Sequence, residues 1–135
     1  MNDTIRRLIN TTYSSDVDES EEAFLQLGLL LEIHTFNSRY QSQYDTLLPS
    51  EVRRMVLDES EQVLLVTELS KLVGVSASMT NNAIQTMRIA KPSIAFIPLL
   101  TIIRDKSFYL DLHSTRQVLI GLERYIRDAI KHLTN

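Results

Sequence analysis

The sequence predicts a single, mostly α domain with one small β-hairpin, an α+β fold, and three observations carry that reading. Apolar residues recur at helical spacing through most of the 135 residues. A glycine corner at Gly74 separates two short helical patterns. Between residues 94 and 112 the pattern turns to β-formers around a charged turn.

Residues 3–13 carry Ile5, Leu8 and Ile9 on one face of a short helix. A polar, acidic segment from Ser14 to Glu19 follows. Asp18 and Glu21 stand at capping-box spacing, with Ser20 as another cap, before a run with Phe24, Leu27, Leu30, Leu31, Ile33 and His34 at helical positions. That predicts a helix over about 21–46. Its stripe is wider than one core requires, and a partner subunit would cover the excess. Pro49-Ser50 opens the next helix, with Val52, Met55, Val56 and Leu57 on its buried side. Gln62 to Val66 reads as a short β-rich stretch. Thr67 then caps a short helix, Glu68 to Val73, which Gly74 ends with the positive φ that a helix terminus commonly needs. Ser76 or Ser78 caps another helix to about Ala90, and Pro92 stops it.

From Ile94 to Leu112 the chain is rich in Ile, Phe and Tyr, and Pro98 does not suit a helix interior. Arg104-Asp105-Lys106-Ser107 reads as the tip of a two-stranded hairpin, with a single kinked helix as the alternative. The last helix, about 115–133, opens on a Ser114/Gln117 capping box. Val118, Leu119, Leu122, Tyr125, Ile126, Ala129 and Leu133 follow in near-heptad spacing, a seam that serves either the core or a dimer partner.

Composition narrows the function classes. Hydrophobic residues make up 44% of the chain, enough for a core of its own, and the net charge of −3 excludes a generic polycation. A nucleic-acid partner would require basic residues gathered on one face. With no cysteine there is no disulfide, thiolate metal site or thiol switch. His34, His113 and His132 lack ligand spacing, and three glycines leave no room for a phosphate-cradling loop, so no metal or cofactor is expected. The polar N-terminus is not followed by a signal-type apolar run. The most apolar stretch, Ile94 to Ile103, is too short to span a bilayer, so a cytoplasmic protein without a membrane partner is expected.

Chemistry concentrates in Thr67 to Gln85. Ser70 is the small residue for a helix crossing, Gly74 the turn, Val73 and Val75 its apolar flanks, and Ala83, Ile84 and Met87 the inner face of the second helix. This is the spacing of a helix-turn-helix. Its outer face would carry Ala77, Ser78, Asn81, Asn82, Gln85 and Arg88 behind the Ser76 cap. Asn and Gln pair with adenine edges, Arg with guanine, and Ser with bases or phosphate.

Three segments extend the pattern. Leu47-Leu48-Pro49-Ser50-Glu51-Val52 resembles the opening of the second helix in the MarR family of winged helix-turn-helix regulators. Leu64 to Leu69 resembles that family's entry to its motif, and Arg104 to Thr115 resembles its wing signature. The resemblance spans roughly residues 20–133 in the family's order. It implies a winged helix-turn-helix core over 62–112 between N- and C-terminal dimerisation helices, about 21–46 and 115–133. It implies a homodimer on double-stranded DNA, reading a pseudo-palindromic operator in major grooves about 34 Å apart. Arg88, Lys91, Arg104 and Lys106 would meet phosphate or minor groove, and Arg53 and Arg54 the backbone. A small-molecule effector cleft, which His34 could line, belongs to the same expectation. Two other readings compete with this non-enzymatic regulator. One is a helical interaction adaptor or antirepressor without tight DNA binding. The other is a HEPN-type ribonuclease using Arg127 and His132.

Overall fold

The computed structural model describes residues 2–35, 49–53 and 57–134, and the side chains of these except 33–35, 53 and 134. The chain begins with α1 (Asp3–Thr12) and α2 (Val17–Thr35), continues through the single turn α3 (Ser50–Arg53), and then runs α4 (Glu59–Ser70), α5 (Ala77–Met87), α6 (Pro92–Asp105) and α7 (Leu112–Thr134). A 3-10 turn, Ser107–Tyr109, joins the last two helices.

Polar residues set most of the helix starts. Asn2 accepts the Thr4 N–H at 2.7 Å, Asp58 that of Glu61 at 2.9 Å, and Ser76 that of Met79 at 3.1 Å. Each satisfies a donor that the first helical turn leaves without an intrahelical partner. Two starts differ from the sequence reading. Asp16, rather than Asp18, caps α2 by accepting from Asp18 and Glu19. The last helix opens on an Asp111/Ser114 pair, in which Ser114 N–H donates to Asp111 Oδ1 at 2.7 Å and Asp111 N–H donates to Ser114 Oγ at 2.9 Å. α7 therefore starts at Leu112, ahead of the expected Ser114/Gln117 box.

α5 is the hub. It touches α2, α4, α6 and α7, and buries Thr80, Ala83, Ile84, Thr86 and Met87. One apolar core runs through the described residues, including Ile5 and Leu8 of α1, Leu27 and Leu31 of α2, Leu65 and Leu69 of α4, and Leu99 and Ile102 of α6.

The expected hairpin is not there, and this overturns the α+β winged fold. Among the described residues there is no strand, only an isolated bridge between Val73 and Ser76. The stretch from 92 to 105 is one helix with Pro92 in its first turn and Pro98 in its interior. An interior proline costs roughly 3 kcal/mol. Burying Leu99 and Ile102 returns about 1.5–3 kcal/mol each, so the helix wins. Ala95, Leu99 and Ile102 are its buried positions, a helical period that the high content of β-formers hid. For the same reason Gln62 to Val66 lies inside α4, with Gln62, Leu65, Val66 and Leu69 inward, and Thr67 is an interior position rather than a cap. The expected helix over 21–46 is described only to Thr35, and residues 36–48 lie outside the described set, as do Arg54 and the side chains of His34 and Arg53.

Candidate nucleic-acid interface

A turn forms at Gly74, but the helix before it is Glu59–Ser70, which ends three residues before the expected Glu68–Val73 helix does. Gly74 has φ +100, the only positive φ among the described residues. Its N–H donates to the Thr80 hydroxyl at 2.9 Å, which fixes the turn to the second helix and gives buried Thr80 a role. Ala83, Ile84 and Met87 are fully buried beneath it. Ser70, read as the crossing residue, instead lines a groove with Pro98 and Thr101 of α6.

The outer face of α5 divides three ways. Ser76, Ala77 and Ser78, at the N-terminal turn, are exposed. Asn81, Gln85 and Arg88 face the last helix. Asn81 donates to Asp111 Oδ2 at 3.4 Å, Gln85 Nε2 lies 2.9 Å from His113 Nε2, and the Arg88 carbonyl accepts from Arg124 at 2.8 Å. Asn82 and Thr86 face α2, flooring a cleft of about 320 Å³ that Glu21, Phe24 and Glu32 help to wall. Two carboxylates beside that cleft repel a phosphate backbone.

Where a wing was expected, residues 106–113 lie across the corner as a strap. Lys106 Nζ donates to the carbonyls of Ser70 and Val73, at 3.1 and 3.3 Å, closing the C-terminal end of α4. The Tyr109 ring packs on Gly74. Asp111 and His113 reach α5 as above. Bonds from Ser114 and then Asn81 hold the Asp111 carboxyl below the ordinary carboxylate range.

Of the expected phosphate contacts, Lys91, Arg104 and Lys106 are engaged within the protein. Lys91 pairs with Glu59, and Arg104 makes a two-point contact with Asp105 at 2.8 and 2.9 Å, which lowers the Asp105 carboxyl. Lys106 is the helix-end donor just described. Arg88 lies next to Arg124, whose pKa is lowered first by burial. The seam between α5 and α7 is imperfectly satisfied: Asn81 Oδ1, Arg88 Nε and Gln117 Oε1 are buried without hydrogen-bond partners. The ribonuclease pair fares no better. Arg127 pairs with Glu123, and five residues along a helix turn His132 about 140° away from it.

The sequence reading leaves the seam of the last helix open between core and dimer partner, and Ile130 is an outward residue that it does not name. Leu119, Ile126, Ile130 and Leu133 are exposed, Leu133 by 86%. The near-heptad spacing held that signal, but it did not separate core positions from outward ones. No helix of the described residues is long and apolar enough to cross a membrane.

Compared with family models, curated proteins and solved structures, the chain matches none. The likeness to the MarR family thus rests on the sequence pattern alone, without the wing.

Proposed function

We propose that the protein is a non-enzymatic helical interaction module, a cytoplasmic adaptor that keeps a helix-turn-helix corner as a structural joint and binds protein partners through the apolar outer side of α6 and α7. The observation that carries this reading is a contrast between two surfaces. The face of α5 that would read DNA is engaged by Asp111 and His113 on one flank and by α2 on the other. The outward face of α7 instead offers large aliphatic side chains to solvent over several turns, which marks an interaction site on a monomeric surface.

A second reading keeps one observation in its favour. The corner keeps a glycine turn ahead of a second helix, and Ser76, Ala77 and Ser78 stand exposed at the N-terminal turn of α5, the part that would enter a major groove. In that reading the chain is a sequence-specific regulator acting as a homodimer on double-stranded DNA. A gel shift with a random-sequence duplex pool, repeated over a range of salt, decides between them. The interaction reading expects no shift beyond weak nonspecific binding. A salt-sensitive shift abolished by Ser78→Asp would overturn it.

A further inference from the structure

We infer that the open groove between α2 and α5 is a docking site for a basic amphipathic helix of a partner protein. Lysine or arginine side chains of that helix reach Glu21 and Glu32, and aliphatic side chains between them enter the groove. This face is separate from the outer side of α6 and α7, so the inference goes beyond the interaction reading above and does not depend on it.

Helical period builds the groove. Glu21 and Glu32 stand eleven residues apart in α2. At about 100° per residue that is three turns, so both lie on one line of the helix, about 16 Å apart. Phe24, Leu25, Gly28 and Leu29 lie between them on the same side, and α5 supplies the far wall with Asn82, Thr86 and Ile89. Gly28 has no side chain to fill the space. A Cβ built there would meet Ile89 Cδ1 at 3.4 Å, so this is where the two walls come close. The groove encloses about 320 Å³. It is not a closed pocket. A small-molecule site buries most of its ligand, whereas here Glu21 stands in solvent and Leu25, a large aliphatic residue, is 49% exposed.

Charge selects the partner. Between Arg7 and Arg39 the sequence holds Asp16, Asp18, Glu19, Glu21, Glu22 and Glu32 and neither lysine nor arginine. α5, the opposite wall, carries no charged side chain. Among the described residues neither Glu21 nor Glu32 has an ion-pair partner, and the Asn82 side chain makes no hydrogen bond. The groove therefore presents two unanswered negative charges at the ends of an apolar floor. A segment with a cation at each end and aliphatic residues between them is its complement. A helix suits it better than an extended strand. The described residues contain no sheet edge to take a strand's main chain, while a helix satisfies its own backbone groups. Positions i and i+11 of a partner helix share a face just as Glu21 and Glu32 do, with i+4 and i+7 between them.

The test is fluorescence anisotropy of a labelled helical peptide titrated with the full chain. The peptide carries lysine at i and i+11, leucine at i+4 and i+7, and alanine and glutamine elsewhere. Saturable binding that weakens as salt rises is the expected result. Glu21→Lys with Glu32→Lys should weaken it about tenfold or more, and that variant should instead bind a peptide with glutamate at i and i+11. Leu25→Ser should weaken binding with no change of charge. Glu19→Lys with Glu22→Lys makes the same charge change on the flank of α2 that faces α1, and should alter affinity by less than about threefold. None of these side chains belongs to the core, so circular dichroism should show the parent helix content in every variant. Absence of saturable binding overturns the inference. So does an equal loss in the two double variants, which would mean general attraction to an acidic helix. Displacement of the peptide by an equal concentration of spermine also overturns it, because the groove would then be a site for small polycations.

Discussion

Tyr109 lays its ring against Gly74, so that a methyl group added at that glycine would sit 3.1 Å from two ring carbons. The contact ties the connection between α6 and α7 to the turn between α4 and α5, two loops 35 residues apart in sequence. Gly74→Ala meets two penalties, the φ of +100 and the ring. We expect a loss of about 1–3 kcal/mol in denaturant unfolding. Adding Tyr109→Ala should recover only the steric part. Full recovery in the double variant would mean that the backbone at Gly74 is not strained by a side chain.

Asp111 supports the start of α7 and the strap together. Asp111→Ala removes the cap on Ser114 and the acceptor for Asn81, and should cost about 1 kcal/mol, the range of an N-cap loss. Asp111→Asn, which keeps an oxygen for the Ser114 N–H, should cost less. Equal losses in a thermal or urea unfolding series would show that the Asn81 contact, not the cap, matters.

Acid should act through the same caps. Hydrogen bonds from Ser114 to Asp111, and from Glu61 and Ser60 to Asp58, lower both carboxyls in the folded chain. A lowered folded pKa means stability fully present above the unfolded value, about 3.9, and lost as pH falls through the folded values. Stability should therefore be flat from pH 7 to about 5 on account of these groups and decline below about 4. Asp58→Asn and Asp111→Asn together should flatten that decline, which a pH series of urea midpoints would reveal.

How far the sequence was legible depends on whether a residue's role is local. Gly74, the Ser76 cap and the inward Ala83, Ile84 and Met87 could be read because turn chemistry and helical period act over a few residues. The region 94–105 misled because Ile and Phe favour strands and Pro98 argues against a helix, yet buried Leu99 and Ile102 decide the matter from across the core. The candidate site failed on long-range terms. Nothing near Asn81 or Gln85 in sequence announces that Asp111 and His113, 30 and 28 residues on, will reach them. Likewise the cations at Lys91 and Lys106 looked available until Glu59 and the α4 carbonyls were placed beside them.

Gly121 is where the last helix comes close to its neighbours. A Cβ built there would lie 2.5 Å from Leu99 Cδ1 and 3.4 Å from Arg88 Cβ. Gly121→Ala gains about 1 kcal/mol of helix propensity, but Leu99 is fully buried and must shift to admit the methyl. The two effects should nearly cancel. Gly121→Leu adds volume that the contact cannot absorb and should cost about 1–3 kcal/mol or more, read as a lower urea midpoint at unchanged slope. A leucine tolerated without loss would mean that α7 is not seated on Leu99.

The seam between α5 and α7 should become stronger when it is made less polar. Gln117 Oε1 is buried without a hydrogen-bond donor, and a polar atom left in that condition costs about 1–3 kcal/mol. Gln117→Leu removes the atom while keeping most of the side-chain volume, so the variant should be more stable than the parent, by about 1 kcal/mol. Arg88→Ala provides the contrast. It removes an orphaned Nε as well, but also the aliphatic stem that packs against Gly121, and should come out neutral or destabilising. Denaturant unfolding of the two single variants beside the parent chain measures both. If Gln117→Leu destabilised the chain, the buried oxygen would have to be satisfied in solution, and the seam would be a complete polar contact instead of a partly satisfied one.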